Sequence, residues 1–117
     1  MAPPLLHHQR LLVDDRDVAH LEVAATRRAR ARGLLGRDAI DGALLLAPAG
    51  SVHTVGMRFP IDVALCTRGL RVVAVRTVPA GRLVLPHRGG RAVLEAEAGS
   101  FSRWGLGVGS QLTVGRG

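Results

Sequence analysis

Residues 53–62, His-Thr-Val-Gly-Met-Arg-Phe-Pro-Ile-Asp, gather an imidazole, a hydroxyl, a thioether, a guanidinium and a carboxylate into ten positions. Such a set can move a proton, hold an anion or offer hydrogen bonds to a small ligand. Gly56 and Pro60 fix an unusual backbone path through it. Pro60 cannot donate to a sheet ladder and pushes Phe59 towards extended geometry, so the chain must bend or reach an edge there. Side chains before and after the bend can then converge. Beyond it, Asp62 alternates with Ala64 and Cys66, away from Ile61, Val63 and Leu65. A carboxylate among small residues either lines a pocket or pairs with a cation, and Arg58 is the nearest partner for a bidentate pair. His53, Thr54, Met57, Arg58 and Asp62 are therefore candidate ligand-binding residues.

Other groups invite chemistry with less support. Glu95 and Glu97 share one face of a strand, opposite Leu94 and Ala96. They read either as an acid–base pair or, by default, as the wet side of a sheet. Glu95 could also neutralise Arg37 or Arg58 if their elements are neighbours, which adds Arg37 and Glu95 to the candidates. Arg27, Arg28, Arg30 and Arg32 could hold an anion if they faced a groove, but their default reading is a solvated helix face. Ser51 lies two residues from His53 without the strand-turn-helix elbow of a nucleophile. His7, His8, His20 and His87 show no ligand spacing towards His53, so no metal is expected, and no cofactor. Gly105, Gly107 and Gly109 precede a strand rather than open a helix, which speaks against a phosphate cradle.

These side chains need elements to position them. The apolar pattern has mostly period two or short runs, broken by Gly and Pro, as in mainly β domains. Strands are predicted at 9–13, 19–24, 43–47, 52–55, 61–67, 71–78, 92–98 and 111–114. The pair 61–67 and 71–78 forms a hairpin through Arg68-Gly69-Leu70, with Gly69 supplying positive φ. One short helix is predicted over 26–35, capped by Thr26 and ended by Gly36. A second helical turn follows at about 100–106, with Ser100 as cap and Trp104 and Leu106 closing one end of the core. The predicted fold is a single-domain jelly-roll-like β-sandwich or barrel over 9–117, after a flexible segment 1–8.

Composition sets the outer bounds. At 117 residues and 47% apolar content the chain can build one core without disulfides or metals. Its one cysteine, Cys66, sits in an apolar run and reads as a buried reduced thiol, which suits a cytoplasmic protein. No segment has the length of a secretory signal or membrane span. The net charge of +7 suggests nucleic acid at first sight. However, all sixteen Lys/Arg positions are Arg, and Tyr and Asn are also absent, so the basicity reads partly as compositional bias. With one Trp and two Phe there is no stacking platform for single strands.

Several short motifs together resemble an uncharacterised prokaryotic family, the domain of unknown function 192. They are Ala24-Ala25-Thr26, Arg32-Gly33-Leu34-Leu35-Gly36-Arg37, the segment 53–62, Leu94-Glu95, Ala98-Gly99 and Val108-Gly109. The resemblance implies a mainly β, jelly-roll-like sandwich with a short helix and assigns no biochemical role. Many relatives carry Trp-Met-Lys-Asn-Thr where this chain has His53-Thr54-Val55-Gly56-Met57, and Asp where it has Ser110. Pro60 and Asp62 are shared, which shifts the weight to Asp62, Arg37 and Glu95. Relatives often begin with an export signal that is not seen here.

The expected function is a small-ligand or peptide-binding β-sandwich module, with a polar pocket around 53–62, rather than an enzyme. One alternative is an enzyme using Asp62 or His53 for proton transfer, with Arg58 or Arg37 steadying an anion. Another is Arg-mediated contact with nucleic acid, which the composition disfavours.

Overall fold

Alternating apolar segments separated by tight turns become nine strands and two short helices in the computed structural model, which describes residues 6–24, 26–50, 52–53, 57–81, 83–84 and 89–116. β1 (Leu6–Val13) begins inside the 1–8 segment and turns through Asp14 and Asp15 into antiparallel β2 (Arg16–Ala24). Both aspartates take positive φ, which short polar side chains tolerate better than bulky ones. Thr26 then caps α1 (Arg27–Arg32), its hydroxyl accepting from the Ala29 N–H at 3.0 Å. The helix stops at Gly33, not Gly36, because Gly33 is the first residue able to take φ +50 cheaply. Tight turns from Arg32 to Arg37 then carry Leu34 back into the core, 1% exposed.

β3 (Ala43–Leu46) returns parallel to β2. The remaining elements are β4 (Val52–His53), β5 (Ile61–Cys66), β6 (Val72–Val78), β7 (Leu83–Val84), β8 (Ala92–Glu97), α2 (Ser100–Trp104) and β9 (Leu112–Arg116). Seven strands form one sheet in the order β6-β5-β8-β3-β2-β1-β9, and β4 pairs with β7, a strand not anticipated from the sequence. The two edge strands approach at one end, where Arg71 bridges Gln111 and the Val72 and Leu112 N–H groups reach the Ser110 and Leu70 carbonyls at 2.9 and 3.0 Å. The sheet is not closed beyond that point. The mainly β, sandwich- or barrel-like expectation therefore holds. The β5–β6 hairpin forms as read, except that Leu70 rather than Gly69 takes positive φ, at 69°. Leu70 packs on the core, and that burial offsets roughly 1–2 kcal/mol of left-handed strain.

Both faces of the central strands are covered. Every residue of β3 and β5 is buried. Ala43, Leu45, Ala64, Cys66, Leu94 and Ala96 pack on one face with Phe101 and Leu106, while Leu44, Leu46, Ile61, Val63, Leu65 and Val93 pack on the other with Ala29 and Leu34. The Cys66 thiol is buried and free, and burial pushes its pKa up to about 12. That keeps it an inert apolar group.

Asp62 ties α2 to the first of these faces. The helix is capped by Gly99 at φ +94, not by Ser100, and has no side-chain cap of its own. Asp62, 3% exposed, supplies that cap from β5: it accepts from the Gly99 and Phe101 N–H groups at 3.0 Å each and from the Thr77 hydroxyl at 2.8 Å. This holds Phe101 and Trp104, with ring centroids 6.1 Å apart, at the end of the core. Asp62→Ala should therefore cost about 3 kcal/mol, because buried donors lose a charged acceptor. Asp62→Asn, which keeps one acceptor oxygen, should cost less. Urea denaturation of the three proteins would show the order.

Candidate functional site

The sheet register decides which predicted residues meet. Across β2, β3, β8 and β5, one row reads Glu22, Leu44, Glu95, Val63, and an adjacent row places Asp62 opposite Ala96. Neighbouring rows point to opposite faces. Glu95 thus faces α1 while Asp62 faces α2, and no single wall carries both. The wet-side reading of Glu95 and Glu97 is also corrected. Glu97 is exposed, but Glu95 is 1% exposed because α1 and its following turns cover that face.

Glu95 lies at the wall of a cavity of about 160 Å³ beneath α1, lined also by Gly33, Leu34, Leu46, Ala49 and Met57, with Arg30 and Arg32 towards the helix side. Among the described residues its Oε1 has no hydrogen-bond partner. Gly33 is what brings the backbone so near: a Cβ there would stand 3.2 Å from that oxygen and 3.8 Å from Leu46 Cδ2. Any larger residue would crowd the carboxylate and strain the φ +50 turn. Arg37 donates to Glu22 Oε2 at 2.7 Å in a largely buried ion pair and acts on Glu95 through space.

Arg58 and Asp62 lie elsewhere. Arg58 donates to Asp38 at 2.9 Å with both side chains exposed, so the expected Arg58–Asp62 pair does not form. Asp62 turns inward to α2 while Arg58 precedes the bend on the surface. An exposed pair of this kind contributes about 0–1 kcal/mol. The backbone of His53 pairs with Leu83, its side chain lies outside the described residues, and so does Thr54. Among the described residues no three His, Cys, Asp or Glu side chains group as metal ligands, and no helix is long and apolar enough to cross a membrane.

A family profile described as "Uncharacterized ACR", DUF192, matches residues 10–114. The chain belongs to the DUF192 family. This DUF192 domain is similar in structure to a protein of unknown function from Novosphingobium aromaticivorans, at 22% identity and a TM-score of 0.77, covering 96% of this chain and 93% of that one. It is similar also to a Sinorhizobium meliloti protein provisionally named a transcription regulator, at 18% identity and a TM-score of 0.80, covering 97% and 98% of the two chains. At these identities the likeness speaks for the fold alone. No curated protein matches the chain in sequence.

Of the predicted site residues, then, this DUF192 domain brings together Arg37, Met57 and Glu95. Sequence reading missed Glu22, Gly33, Leu34, Leu46 and Ala49. A signal existed for two of them, since Gly33 and Leu34 lie in the Arg32–Arg37 motif. Glu22, alone among apolar neighbours in a strand, resembles Glu95 in setting.

Burial drives the Glu95 pKa up from an ordinary 4.5 to about 7, against a smaller downward pull from the Arg37 guanidinium. An unfolded chain would lose this proton near pH 4.5, whereas the folded one keeps it to about 7. Between those values the native state binds more protons, so stability falls as pH rises through the window and levels off above it. Wild type should lose about 3 kcal/mol more than Glu95→Gln across that window. Urea denaturation of both proteins at pH 4.5, 6 and 8 measures this difference, and parallel curves would refute the assignment.

Proposed function

We propose that the protein is a small-molecule binding module whose ligand occupies the cavity beneath α1 and is received by Glu95. The Oε1 of a carboxyl group that is 1% exposed, unpartnered among the described residues, carries this reading. A buried acceptor without a donor costs free energy, and a donor-bearing ligand would recover it. The volume of about 160 Å³ suits a ligand of benzene size. Leu34, Leu46 and Met57 would contact its apolar part. Among the described residues of the 53–62 segment, Met57 lines this cavity.

Proton transfer is a second reading, with Glu95 in the role first considered for Asp62 or His53. Its support is the pKa of about 7, where a carboxyl group can both give and take a proton at neutral pH. Contact with nucleic acid draws less support. At six and five residues, α1 and α2 span roughly 9 and 8 Å, too little for groove-reading helices.

A thermal-shift screen of metabolites of up to about eight non-hydrogen atoms tests the binding reading. A true ligand at a hundredfold excess over Kd should raise the melting temperature by roughly 10 °C. The shift should vanish in Ala49→Phe, which fills the cavity from its partly exposed wall. A library without hits, or hits that shift both proteins equally, would overturn it.

A further inference from the structure

We infer that His8 and His20 form a binding site for a divalent late transition-metal ion, with zinc the best fit, separate from the cavity beneath α1. The two residues stand on neighbouring strands. His8 lies opposite Glu22 and His20 opposite Arg10, so the histidines are diagonal neighbours on one face of the β1–β2 ladder. His8 Nδ1 lies 3.3 Å from His20 Nε2, the ring centroids are 5.2 Å apart, and the ring planes differ by 20°. An ion bound tetrahedrally at about 2.0–2.1 Å from two imidazole nitrogens holds them roughly 3.3 Å apart. The fold already spaces these two atoms as zinc would. A hydrogen bond between ring nitrogens uses one N–H and one lone pair. Moving that proton to the outer nitrogen of the same ring leaves lone pairs on both inner nitrogens with no change in charge. The ion then takes the place of the hydrogen bond without repacking the strands.

The surroundings favour a cation. Arg10 is engaged by Asp17 at 2.8 Å and Glu22 by Arg37 at 2.7 Å, so the charged residues opposite the two histidines are already paired. His20 also borders a cavity of about 410 Å³ lined by Asp41, Glu97 and Arg103. Neither carboxylate makes an ion pair among the described residues, and Arg103 donates to the Ser100 hydroxyl. Among the described residues lining that cavity, unpaired acid thus outnumbers unpaired base, although the chain as a whole carries +7. The backbones that carry the pair are firmly held. The irregularity in the ladder falls at Leu11 and Leu12, past both histidines, and Gly42 packs so closely on the His20 carbonyl that a side chain there would collide. His8 is exposed and His20 partly buried, so an ion arrives from solvent and water completes its coordination. With two protein ligands this is an open, exchangeable site rather than a closed structural one.

Titration calorimetry of the full chain with Zn²⁺ at pH 7.5, together with nitrogen NMR of the histidine rings, tests the assignment. One ion per chain should bind, and the His8 Nδ1 and His20 Nε2 resonances should move most. His8→Ala and His20→Ala should each weaken binding by roughly tenfold or more. His87→Ala should leave it unchanged, and Mg²⁺, which prefers oxygen ligands, should not compete. Melting curves report whether each variant folds, and His8→Ala, at an exposed position, decides the matter if His20→Ala does not. No zinc binding, binding that survives His8→Ala, or binding that moves neither of the two inner nitrogens would overturn the site.

Discussion

Burial of the central sheet on both faces is the constraint from which the rest follows. β3 and β5 place every side chain in the interior, and β8 all but Glu97. A strand covered on one side can send its polar residues to water. Here that exit is closed, so any carboxylate on these strands must find donors inside the protein or remain without them. The chain carries two such carboxylates, Asp62 and Glu95, on adjacent strands but on opposite faces.

Their fates differ because their neighbours differ. Asp62 meets the start of α2, where backbone N–H groups need acceptors, and with Thr77 it is fully engaged. It is a fastening, and its burial is compensated. Glu95 meets the C-terminal end of α1 at Gly33, where a helix leaves carbonyl groups rather than N–H donors unpaired. Arg37, the one cation among the described residues that pulls its pKa down, hydrogen-bonds to Glu22 instead. One helix presents its donors and the other its acceptors, and this accident of direction separates a structural carboxylate from a candidate site.

The sequence made the fold legible through period-two patterning and Gly/Pro punctuation, and it placed most strands within a few residues. It also located Thr26 as a cap and Arg37 and Glu95 as candidates. What it could not supply was register. A bend at Pro60 suggests that Asp62 and Glu95 converge, but a one-residue difference in pairing sends a side chain to the other face. That offset depends on cross-strand contacts far apart in sequence. The same limit hid Glu22, which enters the site through the parallel β2–β3 pairing. Where helix α1 would stop was hidden for a different reason. Gly33 and Gly36 are equally good terminators locally, and the return of Leu34 to the core chooses the first.

A buried carboxyl group whose Oε1 lacks a partner among the described residues is an expensive way to fill the space at position 95. Its row neighbours are Leu44 and Val63, and an apolar residue there would match them with no desolvation cost. The Gly33 turn adds to the expense, because an L residue cannot take that φ without strain and would press on Glu95. Two local sacrifices of stability thus meet at one cavity. Stability surrendered at a single point, with the surrounding packing otherwise complete, is what a binding or proton-handling site requires and what a purely structural core would avoid. Arg37 stops short of a hydrogen bond to Glu95 because Glu22 Oε2 engages its guanidinium at 2.7 Å. Full pairing would stabilise the charge but leave the site nothing to offer a ligand.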